Sequence, residues 1–390
     1  MRYETTHLHH HFFIVVLILS GLKVADNEYL AIDKKALQLP DSLTKTTQGI
    51  ANYVMANFET NNEKIRAIFI WLATNIQYDI ENMFTLNFHE KKKDKIKKSL
   101  ETKKGICENY AILFSDICIK AGIKSFVVEG YTKQNDSVDF VPHAWCAAFV
   151  DNSWYLFDPT RASGYIHSGT FYKKINTNYF KVSPATYIKS HIPFDYLWQF
   201  LNYPVTNQEF YEGKTDQNNT KPFFSFTDSI QEFDNQNYTA QLQSTAYRIE
   251  KNGIKNSLIF DRLQYIKAEL ENERKNNAIN LYNTAVNDFN AGINGFNQYI
   301  NYRNKQFKPQ KTDAEIQTMI DTPAVKLKDA QAKIKGIELP DQQLDSMKMH
   351  LTNCIYEVSL RIQEQENWLK AYFRRGKSSR KLMFYEKKHF

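Results

Sequence analysis

HAWCAAFVDNSWYLFDPT, residues 143–160, decides how the rest of the chain is read. Ala144 to Val150 and Ser153 to Phe157 are rich in apolar, aromatic and β-branched residues, the composition of paired strands. Asp151-Asn152 between them are residue types that tolerate positive φ and close a two-residue hairpin. With that loop, Val150 faces Ser153, Trp145 faces Asp158 and His143 faces Thr160. His143 and Asp158 then become diagonal neighbours on one face, roughly 7–8 Å apart at the backbone, within reach of an imidazole and a carboxylate. A loop one residue longer would turn Asp158 to the opposite face, so the turn decides whether the two can meet.

Upstream, Tyr110, Ala111, Leu113, Phe114, Ile117, Cys118 and Ala121 recur at helical spacing between Gly105 and Gly122, which punctuate the ends. Cys107 opens this helix. Unsatisfied N–H groups and the helix dipole at such a terminus favour a thiolate, the form in which cysteine is nucleophilic. Taken alone, a lone core cysteine is more commonly just a small apolar residue. Beyond Gly122, Ser125 to Tyr131 changes to period two and supplies a third strand of an antiparallel sheet.

Together these residues suit one chemistry. His143 exchanges a proton with Cys107, and Asp158 orients the imidazole and stabilises its charged form. The backbone N–H of Cys107 is one candidate oxyanion donor. Trp71 and Tyr78 are candidates for a second, each read more readily as packing.

Three blocks, Lys104-Gly-Ile-Cys107-Glu-Asn-Tyr-Ala111, Pro142-His143-Ala-Trp145 and Trp154-Tyr-Leu-Phe-Asp158-Pro-Thr160, resemble the transglutaminase-like superfamily, in the family order. Lys64 to Trp71, continued to Tyr78-Asp79, resembles the helix that precedes this core in the kyphoscoliosis-peptidase-like branch. The resemblance covers roughly residues 45 to 210. It implies an α+β papain-like core with Cys107 as nucleophile, His143 as base and Asp158 as orienting acid. Gly164 to Glu209, with His191, Pro193, Asp195 and Trp198, resembles a trailing extension, in which His191 reads as structural. Arg161 departs from the branch, where tryptophan often follows Asp-Pro-Thr, and marks the substrate pocket as different. Some relatives use calcium, yet no EF-hand, zinc ligand set or Gly-rich phosphate loop is present, so neither cofactor nor metal is expected.

The 390 residues exceed what one compact core needs. Residues 1–25 read as a signal peptide, because Phe12 to Leu19 is an apolar run too short to span a membrane comfortably, with Arg2 before it and Ser20, Gly21 and Ala25 after. The histidines at 7, 9, 10 and 11 belong to that leader. Residues 26–215 form the catalytic domain, helical at first, with Ile50, Tyr53, Val54 and Phe58 on one face and Ile65, Ile68, Phe69 and Leu72 on another. Residues 225–390 read as long polar helices broken near Pro309, Pro323 and Pro340, with a basic tail. The expected product is an α+β core followed by an all-α region, secreted or periplasmic.

The net charge of +7 is local, concentrated in Lys91 to Lys98 and Arg374 to Lys388, which argues against a nucleic-acid binder. Acidic polymer or anionic lipid is the alternative use of those runs. Cys107, Cys118, Cys146 and Cys354 form no dense disulfide framework. Cys107 and Cys118, roughly 16 Å apart along one helix, cannot bridge. The expected partners are a protein or peptide substrate and, through the C-terminal helices, a second protein. A scaffold that keeps the fold without the chemistry is the competing reading, and an inaccessible Cys107 would favour it.

Overall fold

The computed structural model describes residues 28–84, 90–134, 137–338 and 342–385. The signal-peptide expectation for residues 1–25 lies outside them. In chain order, helices α1 (Leu30–Ala36), α2 (Thr47–Asn57) and α3 (Asn61–Asn75) precede a short strand β1 (Gln77–Tyr78) and helix α4 (Lys92–Thr102). Strand β2 (Lys104–Gly105) leads into α5 (Cys107–Lys120). Strands β3 (Ser125–Gln134), β4 (Ser137–Val138), β5 (His143–Val150) and β6 (Ser153–Phe157) follow. Then come α6 (Pro159–Ser163), a hairpin of β7 (Gly164–His167) and β8 (Thr170–Lys173), α7 (Pro184–Tyr187), β9 (His191–Pro193) and α8 (Asn207–Tyr211). The fold is α+β, with α5 packed on an antiparallel sheet.

The sheet runs β4-β3-β5-β6, with β9 also paired to β3. Asp151 (φ 50°) and Asn152 (φ 58°) close the β5–β6 hairpin, and Val150 pairs with Ser153 through to Cys146 with Phe157, the register that a two-residue loop implies. Tyr110, Leu113, Phe114, Ile117 and Cys118 on α5 are buried against the sheet and against α2 and α3. Each such large apolar side chain contributes about 1.5–3 kcal/mol. The helix begins where Asn109 Oδ1 accepts the Ile106 N–H at 2.9 Å. It ends at Gly122, whose φ of 80° suits a residue without Cβ.

The preceding helices are held by a buried charge. Arg66 of α3 is 1% exposed and makes paired hydrogen bonds of 2.7 Å to Asp33 of α1, with the rings of Tyr29 and Phe180 about its guanidinium. The two planar groups match, so the pair fixes α1 on α3.

By contacts the chain divides into residues up to Ile230 with Asn252–Leu258, and Gln231–Lys251 with Ile259 onward. The second unit is helical and includes the second half of α9 (Phe226–Asn235), most of α10 (Tyr238–Asn252) and of α11 (Ser257–Asn304), and all of α12 (Asp313–Lys335) and α13 (Gln342–Arg374). Its core joins Ala285, Phe296, Ile320, Leu327, Ile355 and Leu369. Pro323 does not break the chain as its residue type suggests, because α12 runs through it. Its ring is buried, and a Cβ on Gly295 would come within 3.2 Å of it, so the glycine on α11 leaves the room that this packing needs. That contact offsets the helical hydrogen bond that proline forgoes. Among the described residues no helix is long and apolar enough to cross a membrane.

Gly130 sets how closely the sheet closes around the site. It pairs with His143 on β5 and Pro193 on β9, and a Cβ there would lie 2.1 Å from Ile192 O and 2.6 Å from the Trp145 ring. Gly130→Ala is therefore expected to destabilise the domain by about 1–3 kcal/mol, read as a lower urea midpoint, because the clash is with backbone. An unchanged midpoint would show that β9 yields freely.

Candidate active site

Cys107 is the first residue of α5, where backbone N–H groups have no intrahelical acceptor. It is half-buried and lines a cleft of about 1120 Å³. His143, at the start of β5, lines the same cleft, and the Cys107 thiol is among the groups that favour its charged form. The ring's Nε2 lies 2.7 Å from Asp158 Oδ2, which leaves Nδ1 as the nitrogen for Cys107. The structure thus brings together Cys107, His143 and Asp158.

Asp158 has no exposed surface and sits at the end of β6, capping α6. Its Oδ1 accepts the Arg161 N–H at 2.9 Å, while Oδ2 faces His143. Burial opposes its charge, but the charge and hydrogen bond of His143, with His191 adding to them, hold the carboxyl far below the usual carboxylate range. Burial likewise opposes the imidazolium of His143. The Asp158 charge and hydrogen bond, helped by Cys107, outweigh it and push His143 up to about 9. At neutral pH the pair is imidazolium and carboxylate.

Two residues that the sequence leaves outside the chemistry also meet Asp158. His191 Nε2 is 3.5 Å from Oδ2, brought there by the pairing of β9 with β3. Three residues of strand give no legible period, so only the tertiary pairing reveals it. Arg161 Nε lies 3.7 Å from Oδ2, and its Nη2 bonds Thr132 Oγ1 at 2.7 Å and Asp139 Oδ2 at 3.2 Å. Arg161 thereby ties the segment ahead of His143 to the helix behind Asp158.

Nε2 of His143, Oδ2 of Asp158 and Nε2 of His191 lie within 4.8 Å of one another, a grouping that a metal could use. The 2.7 Å between the first two is a hydrogen-bond distance. Two ligands at about 2.0–2.1 Å from a tetrahedral ion sit farther apart, roughly 3.3 Å. As it stands the geometry is that of a proton-sharing pair.

Tyr78 lines the cleft next to Cys107, placed by the parallel pairing of β1 with β2, in which Tyr78 lies opposite Gly105. Burial pushes its phenol well above the ordinary value, with the negative charges of Cys107 and Asp158 adding to it, so it stays a neutral hydrogen-bond donor. Trp71 is buried on α3 under the Lys103 ammonium and is not among the cleft residues. Of the two oxyanion candidates, Tyr78 alone reaches the cleft. Cys118 and Cys146 are fully buried, and burial raises both thiols. Cys354 lies on α13, in the helical unit. Phe84, Phe140, Val141, Tyr165 and Phe171 line the cleft together with the polar Gln134, Asp139, Arg161 and Lys174, and the β7–β8 hairpin contributes Tyr165, Ile166 and Phe171.

Residues 48–159 match the transglutaminase-like superfamily. Kyphoscoliosis peptidase from Mus musculus is 35% identical over 38% of this chain and 23% of its own length. The Homo sapiens protein of that name is 35% identical over 39% and 24%. The chain thus spans about a quarter of the length of these curated relatives. The solved periplasmic domain of TgpA from Pseudomonas aeruginosa aligns at 23% identity with a TM-score of 0.25, over 33% of this chain and 47% of that one. The matched segment contains the helix that begins at Cys107, the hairpin that begins at His143 and the buried Asp158, and over residues 48–159 the chain carries a transglutaminase-like domain.

Proposed function

We propose that this protein is a cysteine enzyme acting on protein or peptide amides, with Cys107 as nucleophile, His143 as the group that moves the proton and Asp158 as its orienting partner. One observation carries the reading: His143 stands between a half-buried thiol at a helix N-terminus and a fully buried carboxylate 2.7 Å away. The thiolate sulfur attacks the amide carbonyl carbon, and the developing oxyanion turns toward the first N–H groups of α5. The imidazolium gives its proton to the leaving nitrogen as the C–N bond breaks, and a thioester remains. Neutral His143 then takes a proton from water or an amine as its oxygen or nitrogen attacks the thioester carbon, and the C–S bond breaks to release the Cys107 thiolate, giving an acid by hydrolysis or a new amide by transfer.

The aromatic and aliphatic residues that line the cleft suit a polypeptide segment with bulky apolar side chains. The relatives named as peptidases are in keeping with hydrolysis, and the same residues serve crosslinking or deamidation. Secretion through the leader at residues 1–25, and docking of a partner protein on the C-terminal helices, belong to the same proposal.

Iodoacetamide alkylation near neutral pH tests activation before any substrate is known. Cys107 is expected to react well ahead of Cys118, Cys146 and Cys354. His143→Ala should slow it, and with a substrate in hand should cut turnover by about 10²–10⁴-fold. A wild-type Cys107 no faster than Cys354 would instead favour a scaffold that keeps the fold.

Stability should follow the same pair. His143 holds its proton to about 9 in the folded chain, against about 6.5 unfolded. Its contribution is therefore complete below about 6.5 and is lost as pH rises through about 9. The lowered Asp158 contributes in the other sense, with stability present above the ordinary carboxylate range and lost far into acid. The excess urea midpoint of wild type over His143→Ala is thus expected to shrink from pH 6.5 to 9.5. A constant excess would rule the ion pair out.

A further inference from the structure

Asp158 has a second imidazole beside it that the proposed chemistry leaves unused. His191 opens β9 and is 2% exposed. Its Nε2 lies 3.5 Å from Asp158 Oδ2 without meeting hydrogen-bond geometry there, and this buried nitrogen has no hydrogen-bond partner elsewhere. Its Nδ1 lies 2.7 Å from Ser190 Oγ. The ring is clamped, since Tyr187 stacks on it at 4.0 Å and the edge of Trp145 meets it at 5.3 Å. A ring held in this way keeps the same nitrogen toward the carboxylate.

The tautomer follows from the partners. Ser190 Oγ can donate to Nδ1 or accept from it, but an ionised carboxylate oxygen only accepts, so the Nε2 that faces Asp158 carries the ring proton and the serine hydroxyl donates to Nδ1. Oδ1 is already fixed by the Arg161 N–H, and Oδ2 already faces His143. His191 joins His143 at Oδ2, so that the carboxylate is met by an imidazole N–H in addition to the two groups that already fix it. We infer that His191 is a positioning residue, a neutral imidazole whose Nε2–H holds Asp158 in place while His143 gains and loses its proton. The inference rests on the triad reading and deepens it.

Neutrality is what lets the arrangement work. A second imidazolium on Oδ2 would share the field that stabilises the first and would loosen the proton on His143. The charged and titratable groups that face His191 are Asp158, His143 and Arg161, with Tyr179 and Tyr187 on its flanks. Burial takes His191 down to about 4 against the pull of Asp158, so it stays uncharged across the neutral range. Two histidines on one carboxylate are thereby set to different tasks, one titrating in use and one not.

The full-length chain, labelled with ¹⁵N, provides a test that needs no substrate. Long-range proton–nitrogen spectra are expected to show His191 neutral, with its proton on Nε2, from about pH 6 to 8. A proton on Nδ1, or an imidazolium, would overturn the inference. His191→Leu is expected to lower the titration midpoint of His143 and to slow alkylation of Cys107 roughly tenfold, the loss of one N–H interaction with a charged group. His191→Gln, whose amide nitrogen replaces Nε2, should restore most of both. A His191→Leu protein with an unmoved His143 midpoint, or a His191→Gln protein that restores nothing, refutes the positioning role while leaving the triad standing. If wild-type Cys107 shows no excess reactivity, the triad and this inference fall together. The wild-type tautomer decides the matter even where a variant does not fold.

Discussion

A carboxylate with no exposed surface must have its charge answered inside the fold, and much of the core can be read as the answer to Asp158. His143 meets one oxygen and the Arg161 N–H the other, with His191 and the Arg161 side chain alongside. An unpaired buried charge would cost several kcal/mol, so each of these partners is held by an element with a further reason to stay in place. Arg161 is pinned by Thr132 and Asp139, and His191 by Tyr187 and Trp145. The carboxylate is thus a junction between the hairpin, the short helix α6 and the strand that returns from the trailing segment.

The same economy appears in α5. Its inner face, with Tyr110, Phe114 and Ile117, fills the core, while its first residue carries the thiol into the cleft. The Tyr110 hydroxyl donates to Ile76 O at 2.6 Å and lies 3.3 Å from Ser163 Oγ, so the helix is registered against the end of α3 and against α6. Position at the helix start is then set by packing along the rest of the helix rather than by contacts at the cysteine itself. Precision at the sulfur comes from burial along the first three turns of the helix.

Much of this is legible in the residues. The helix after Cys107 and the strands around Asp151-Asn152 have strong periods, and the turn residues fix a register from which the meeting of His143 with Asp158 follows. What could not be read depends on contacts between segments far apart in sequence. β9 is three residues long and is a strand only because β3 offers Gly130, Tyr131 and Thr132 to pair with, so His191 gave no local sign of where it would point. Arg161 was visible as a departure from a family pattern, but its ties to Thr132 and Asp139 needed the loop to fold back. Pro323 was misjudged because its type speaks of breaking a helix, whereas the glycines at 292 and 295 on α11 make room for α12. Local propensity yields there to packing.

Two tight turns of the first unit, at Asp151-Asn152 and Ser168-Gly169, differ in what length they can tolerate. Adding one residue at Asp151-Asn152 would invert the faces of the strand that leads to Asp158, so this turn is closed to insertion. The β7–β8 hairpin is a separate two-stranded ribbon with its own two-residue turn at Ser168-Gly169, anchored where Lys173 donates to Thr74 O and Ile76 O at the end of α3. Lengthening it beyond that anchor would remodel the mouth of the cleft without moving His143 or Asp158. The architecture therefore separates a part whose length is frozen by geometry from a part free to diversify, and new substrate preferences can arise on the second without renegotiating the first.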